Sequence, residues 1–557
     1  MFRKTSTSLQ LSLLTSVNQH LTNKSARQYE DQKEWHNVFY RQVVCKINED
    51  IFSVLFSNGK GTPNASIRVL IGMMILKEGE GYSDEKLFEN CHFNLLTRKA
   101  LGLVNIDDYV PSESTYYLLR KRIANYYKLA GIDLFKVCFK EITKSQIIEF
   151  NVSGQSIRMD SKLIGTNIAF YSRYELVHSI LIKYYKSTLQ HKTYLLPDQY
   201  QQMLSDFIKE KSSTTVYSSS KEQIVKRLRL IGELIYTLLK INKASNSKHY
   251  KILERVFNDQ YYLLDSGKIR IKPNKDISAK SIQSPHDTEC DFRKKDNNKT
   301  KGYNHNITET CDSENDVNLI TDIDVERATH ADNEFTKPSI INSQEILENK
   351  IKNVHADGAY NSETNQRFVK KENINFYLTG FQGPSARYNL RVRENKLVVI
   401  DTKNDEIITV TLTEKGKYRI KTEKGYRYFT DKQIESCRLR KQVEQLPLEL
   451  KRKRNNVEAS IFQLAYHLRK DKTKYRGYFK NKIWAILRSL WVNFVRITTS
   501  LVKRYQNLSI IVNNNCIVRV FESHLRFINF LTRLESHGSK IISFLFVANF
   551  YQILKGL

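Results

Sequence analysis

Two short runs, Gln155–Asp160 and Ile351–Asp357, have the apolar patterning of buried strands, and each ends on an aspartate. The first alternates: Ile157 and Met159 point to one face, Arg158 and Asp160 to the other, so one face packs and one is left for chemistry. Strand character spans residues 150–168 and returns at 301–311, 317–329, 353–357 and 374–379, with a short helix expected over 340–350. The order strand, strand, strand, helix, strand, helix, strand places Asp160 on the first strand and Asp357 at the end of the fourth. An α/β sheet domain is therefore expected, with strand ends holding both aspartates on rigid backbone. Gly358 allows a sharp turn straight after Asp357.

A third acid, Glu458, lies in a helical stretch whose stripe Val457, Ile461, Leu464 and Leu468 follows helical spacing. Glu458 flanks that stripe and is expected to lean inward toward the sheet. Arg454, one turn earlier, can pair with Glu458 or reach a phosphate. Carboxylates at two strand ends and on one helix can converge on a pair of divalent metals, an arrangement suited to attack on a phosphodiester. Asp322 and Asp324 on a strand, and Asp287 and Asp291 in the preceding loop, compete as ligands, but capping or solvated roles are expected for them. His330 and His355 are read as packing or DNA-contact residues, because magnesium favours oxygen ligands.

Elsewhere the chain reads in blocks. Residues 35–140 are helical, with Arg68–Glu78 apolar nearly all round and hence a buried central helix. Ser83 is an expected N-cap. Ser114 is expected to cap a helix through Ile123 that carries Arg120, Lys121 and Arg122, either a helix-turn-helix-like reader of DNA or a solvated face. Residues 170–265 form a helical insertion rich in Lys, Tyr and Leu, and the polar segment 291–301 is an expected loop. Residues 388–430 alternate β-branched residues between turn signals, as one small antiparallel sheet. Helix returns after Pro447 and continues into a basic-aromatic tail, 501–557.

The 89 Lys and Arg against 59 Asp and Glu give a formal net charge of +30, which implies a polyanionic partner. Of the two common polyanions, nucleic acid is preferred to a membrane. No run reaches the roughly 20 apolar residues of a spanning helix, and Ile541–Leu554 is short and interrupted by Ser543, Asn549 and Gln552. The N-terminus lacks signal-peptide character. Seven scattered cysteines without a Cys-x-x-Cys pair argue against a disulfide framework or zinc ribbon and for a reduced cytoplasm. Neither a phosphate-binding G-x-x-x-x-G-K-[ST] loop nor a serine nucleophile elbow is present, so ATP-driven and serine-hydrolase chemistry lack support.

The strand order resembles an RNase H-like domain, and particular motifs resemble bacterial insertion-sequence transposases of the DDE type with an InsH-type N-terminal domain. The N-terminal resemblance rests on Ile47–Phe52, Arg68–Glu78, Tyr82–Leu87 and Cys91–Asn94. The catalytic resemblance rests on Arg158–Gly165, Leu319–Val325, Ala328–Glu334, His355–Tyr360, Thr379–Gly383 and Arg454–Ala459. It implies a helical DNA-binding domain over 1–145, with Arg120, Lys121 and Arg122 as candidate DNA contacts. An RNase H-like catalytic domain would follow over 150–500, with the helical insertion 170–265 and a β-rich insertion 385–445. The family's two aspartates fall on Asp160 and Asp357 and its glutamate on Glu458, implying two Mg²⁺ or Mn²⁺ ions held by these three, with Arg454 in support. One subgroup surrounds the glutamate with Tyr-x-x-Arg-x-x-x-Glu-x-x-x-x-x-x-Lys. Here Lys451 stands at the tyrosine position and Ala465 at the lysine position, so those phosphate contacts and that subgroup's hairpin chemistry do not carry over. The implied activity is cleavage and strand transfer of double-stranded DNA, at element ends and target, by a homodimer on the nucleoid. A structure-specific nuclease of the same fold and an inactive, transposase-derived DNA-binding protein are the alternatives.

Overall fold

The computed structural model describes residues 1–513 except 58, 60, 190–195, 243–244, 296, 381–386, 394–395, 414–416 and 423–424. Residues 1–495 form one compact unit and 496–557 a second. At its centre is a six-stranded sheet begun by β1, Ser156–Gly165. The chain then leaves for a helical insertion, closed by the hairpin of β2 (Tyr261–Leu263) and β3 (Ile269–Ile271). It returns through β4 (Asp291–Lys295), β5 (Asn298–Thr310), β6 (Ile320–Arg327), β7 (Asn353–Ala356) and β8 (Asn375–Leu378).

β1 pairs antiparallel with β5, and β5 antiparallel with β6 and, along its first residues, with β4. On its other side β1 runs parallel to β7, and β7 parallel to β8. The three long strands thus form an antiparallel meander, while helices Thr336–Leu347 and Glu363–Lys371 supply the crossovers that parallel pairing needs. β1 and β5 approach closely where Gly302 faces Gly165: a Cβ on Gly302 would lie 2.1 Å from the Ile164 carbonyl oxygen. β6 carries backbone groups exposed at an edge, and the Asn493 carboxamide satisfies both the N–H and the C=O of Ile320, at 2.7 and 3.0 Å.

Residues 291–301 are not the expected loop but the β4–β5 hairpin, with Lys294 opposite Lys299. Its side chains are polar because this end of the ladder projects beyond the core, and backbone pairing there needs no apolar face. The insertion is helical as read: Arg173–Tyr184, Asp198–Lys209, Ser212–Ser218, Lys221–Ile241 and Lys248–Gln260. It has a core of its own, in which Val177 and Leu181 meet Ile231, Ile235, Leu238, Leu253 and Val256. The β-rich segment contains two three-stranded antiparallel sheets rather than one. The first comprises β9 (Tyr388–Arg393), β10 (Lys396–Asp401) and β11 (Ile407–Ile408); the second comprises β12 (Thr411–Leu412), β13 (Tyr418–Thr422) and β14 (Gly425–Phe429). They share the cluster of Leu390, Leu397, Val399, Ile420 and Phe429, so the two small sheets bury one apolar face of each against the other, while Ile407 and Leu412 remain exposed.

In the N-terminal region the helix Ile67–Glu80 is buried along almost its whole length, as its composition demands. Its last turn packs on Trp491, whose ring would lie 2.1 Å from a Cβ on Gly79. The Arg488 guanidinium donates to the carbonyls of Glu78 and Gly79 and to Leu464, joining this helix to the sheet region. Ser83 caps Asp84–Phe93 as expected. The cap of Glu113–Ala130 is Ser112, two residues before the expected Ser114, because Glu113 and Ser114 are already in the first turn. The helix Tyr478–Asn513 includes the first residues of the tail; the rest of 501–557, with Cys516 and the run 541–554, lies outside the described residues. Among the described residues no helix is long and apolar enough to cross a membrane. The cysteines described are all free, and Cys91, Cys138, Cys290 and Cys311 are buried.

Candidate active site

β1 and β7 are in register with Arg158 opposite His355. Two residues further along each strand stand Asp160 and Asp357, so parallel pairing alone brings the two aspartates to one level at the carboxyl edge. Asp160 is still within β1 and its side chain is 14% exposed. Asp357 has just left β7 and caps the turn Gly358–Tyr360 by accepting the Ala359 N–H.

Helices Leu448–Asn455 and Val457–Ala465 cross this edge with a break between them, and they carry Arg454 and Glu458. The Arg454 Nη2 group donates to Asp160 Oδ2 at 3.0 Å and lies 3.9 Å from Asp357 Oδ2. Its Nη1 group donates to Glu458 Oε1 at 2.7 Å. One guanidinium therefore gathers the three acids picked out from the sequence. Glu458 does not lean inward: its side chain is 63% exposed. Val457, Ser460 and Leu464 take the face toward the sheet, and Glu458, one residue round the helix, projects beside the edge. Ile461 is only half-buried, and Leu468 lies past the end of the helix.

Burial pushes the Asp160 carboxyl up to about 6. The Arg454 charge and the Ser161 N–H oppose that rise, while Asp357 and Glu458 add to it. Among the described residues no group of three or more His, Cys, Asp or Glu side chains converges closely enough to hold a metal ion. The geometry gives the reason: the acids meet at Arg454 rather than at one another.

The Glu458 helix is anchored by residues that the sequence reading did not single out. Fully buried Glu309 of β5 accepts from Arg158 Nε at 2.5 Å and from Ser460 Oγ at 2.6 Å. Arg158 also donates to the Lys453 carbonyl at 3.0 Å. Arg158 and Asp160 share a face of β1, so this buried pair fixes the helix pair over Asp160. The one available signal was an arginine on the packed strand, since a buried guanidinium requires an acid; which acid follows from the register of Arg158 opposite Glu309. Asp332, another unassigned acid, accepts from Ser161 Oγ at 2.9 Å and Asn304 Nδ2 at 2.7 Å.

The competing acids are not solvated. Asp287 is buried and has the capping role expected of it, accepting the N–H groups of Glu289 and Cys290 and that of Gly477, just before the helix Tyr478–Asn513, besides the hydroxyls of Thr166 and Tyr303. Asp291 is buried against Thr329 and Asp322 against Lys136. Asp324 is 3.9 Å from Lys482. Each lies within tertiary structure that the spacing of charges along the chain does not show. His355 is buried and stacks on Tyr377, with burial pulling its imidazole down to about 4, and His330 lies 2.9 Å from Glu334. Arg120, Lys121 and Arg122 face three directions. Arg120 lies between the rings of Tyr116 and Tyr475, Arg122 over Phe56, and Lys121 is exposed.

Residues 27–122, the segment holding the buried central helix, match the family model described as Transposase domain (DUF772). The match supports a transposase-family protein. No curated protein and no solved structure matches the chain.

Proposed function

We propose that this protein is the DNA transposase of an insertion sequence, acting through Asp160, Asp357 and Glu458 on an RNase H-like sheet. The observation that carries the proposal is the meeting of these three acids, from two adjacent strand ends and a crossing helix, on the single side chain of Arg454. The transposase match over residues 27–122 supports the class of reaction. The strand order β6-β5-β1-β7-β8, with its antiparallel and then parallel pairing, supports the fold.

The donor set suits Mg²⁺ or Mn²⁺, being carboxylate oxygen throughout. Asp160 and Asp357, already within reach of one guanidinium nitrogen, would hold such ions, and Glu458 would join them once Arg454 turns away. Two such ions, when bound, supply charge for both the attacking and the leaving oxygens of a phosphodiester. The chain's own residues set the conditions. Burial of Asp160 keeps water from screening the site, and Arg454 neutralises the acids until a DNA phosphate competes for its guanidinium. The Arg158–Glu309–Ser460 network holds the Glu458 helix in place. Double-stranded DNA, as element ends with terminal inverted repeats and as target, is the proposed partner, bound by a homodimer at the nucleoid. Lys121, with Arg120 and Arg122 behind it, is the candidate contact of the N-terminal region.

The test uses a labelled, pre-nicked end of the flanking DNA, a supercoiled plasmid and Mg²⁺ or Mn²⁺. Joined product is expected with the wild type, and none with Asp357→Ala or Glu458→Gln, both of which should still bind DNA. Cleavage without joining would favour a nuclease. An Asp357→Ala protein that cuts at the wild-type rate would refute the assignment.

A further inference from the structure

Beyond Asp160 the next residues of β1 enter a groove of about 490 Å³ that the proposed chemistry does not use. Its walls are Ser161–Gly165, the β4–β5 hairpin and the segment 470–472. Seven of its sixteen lining residues are Lys or Arg, against two aspartates, Asp332 and Asp471. Both aspartates are already engaged, Asp332 by Ser161 and Asn304, and Asp471 by Lys162 at 2.8 Å. Five positive charges are therefore in excess in this groove, and one of them, Lys162, shares the Asp160 face of β1.

Phe170, a lining residue, is 53% exposed. Two ammonium groups lie close to its ring: Lys301 Nζ at 4.8 Å and Lys472 Nζ at 4.9 Å from the ring centroid. Among the described residues neither lysine has a carboxylate partner, and the two like charges disfavour each other. Burial, with the Lys472 charge added to it, pulls the Lys301 ammonium below its ordinary range, although Cys290 opposes the shift. Lys472 Nζ donates to the Ile168 carbonyl at 3.3 Å, which leaves its charge uncompensated. An exposed ring beside two ammonium groups without carboxylate partners, in a basic groove, has the parts that bind a nucleic-acid strand without sequence preference. The cations take the phosphates, and the ring offers a face for an unstacked base. A duplex keeps its bases stacked and could use only the charges.

We infer that this groove seats a single strand of DNA leading to or from Asp160, with Lys301 and Lys472 on its phosphates and a base stacked on Phe170. The inference deepens the proposed transposase reading, since it names the form of DNA held beside that site, and it can be tested without cleavage. The probes are a fluorescein-labelled 20-mer of thymidine and a 20-base-pair duplex of arbitrary sequence, measured by anisotropy without divalent metal over a salt series. Phe170→Leu is expected to weaken binding of the single strand by about fivefold to a hundredfold and to leave the duplex unchanged. Lys301→Gln with Lys472→Gln is expected to lower the slope of log affinity against log salt by about 1.4. Photocrosslinking with 5-iododeoxyuridine in the single strand is expected to mark Phe170 in the wild-type chain, which keeps the inference testable if a variant is misfolded. Unchanged single-strand affinity in both variants, equal losses for strand and duplex in Phe170→Leu, or crosslinks only outside the groove would each overturn it. If the wild type neither cuts nor joins DNA and Phe170 still governs single-strand binding, the transposase reading fails and the groove stands.

Discussion

Arg454 occupies the place where the three acids would otherwise meet, so it should compete with any cation they bind. Arg454→Met keeps most of the side-chain bulk and removes the charge. The guanidinium is 3.0 Å from Asp160, and both side chains of that pair are 14% exposed. At an effective dielectric of about 20 the Coulomb term for charges about 4 Å apart is about 4 kcal/mol. Most of that is offset by desolvation, and a charge-assisted hydrogen bond contributes a net of about 1.5–3 kcal/mol. Removing it should therefore tighten Mn²⁺ binding by at least about tenfold, since about 1.4 kcal/mol corresponds to a factor of ten. Isothermal titration of Mn²⁺ into metal-free wild type and Arg454→Met, at pH 8 where Asp160 is ionised, measures this directly. Strand cleavage should fall in the same variant, because the guanidinium is then missing from the phosphate. Tighter metal with slower cleavage is the signature of a competing cation. Mn²⁺ binding that is equal or weaker in Arg454→Met would refute the reasoning and make Arg454 a scaffold that holds the acids in place.

Glu309→Leu leaves the Arg158 guanidinium buried without its acid, and such breaks destabilise by about 3–5 kcal/mol; a lower melting temperature should accompany loss of strand cleavage, and an unchanged melting temperature would contradict the buried pair. Asp160 makes stability depend on pH: its folded pKa, raised from 3.8 to about 6, means the folded state holds the proton more tightly. Stability from this group is therefore present at low pH and lost as pH rises from about 4 to about 6. The advantage of Asp160→Asn over wild type should accordingly grow by up to about 3 kcal/mol across that window, at about 1.4 kcal/mol per unit, as read from melting curves in metal-free buffer. Gly79→Ala forces a methyl into the Trp491 ring and should destabilise by about 1–3 kcal/mol; a neutral result would mean the Ile67–Glu80 helix is not held against that ring.

Most of the central sheet was legible because its strands carry buried faces. β1, β6 and β7 run where the apolar patterning put them, while the side-by-side placement of β1 and β7, which brings Asp160 and Asp357 to one level, comes from the pairing alone. The β4–β5 hairpin was not legible. Its pairing is by ladder hydrogen bonds, and toward the turn its side chains, Lys294, Lys295, Asn298 and Lys299, are exposed; periodicity reports burial rather than pairing. The two small sheets of the β-rich segment were read as one for a related reason: short alternating runs show that strands exist, but not which strand is whose neighbour. The Ser112 cap is a boundary shift of two residues, where side-chain competition for backbone groups decides the outcome. The helix expected to continue from Pro447 into the tail instead stops at Ala465 and resumes at Tyr478, with Lys470 and Asp471 at positive φ and Lys472 bridged to Gly165 of β1.

At the site, the contact legible in sequence was the local one, Arg454 with Glu458 at i, i+4. The contact that organises the site joins Arg454 to Asp160 across 294 residues, and only the sheet register makes it. The inward lean expected of Glu458 failed for a physical reason. Two residues a hundred degrees apart on a helix cannot both face the sheet, and Val457 and Ser460 already did. Its exposure is consistent with a carboxylate that completes the site only after Arg454 is drawn to another anion. The same logic explains why, among the described residues, no cluster of metal ligands converges: three like charges at a half-buried edge repel, and Arg454 sits among them as their counter-ion. Arg454 is thus the internal counter-ion of the three acids, and under the proposed function metal and DNA phosphate would both compete with it, which is the competition the Arg454→Met titration measures.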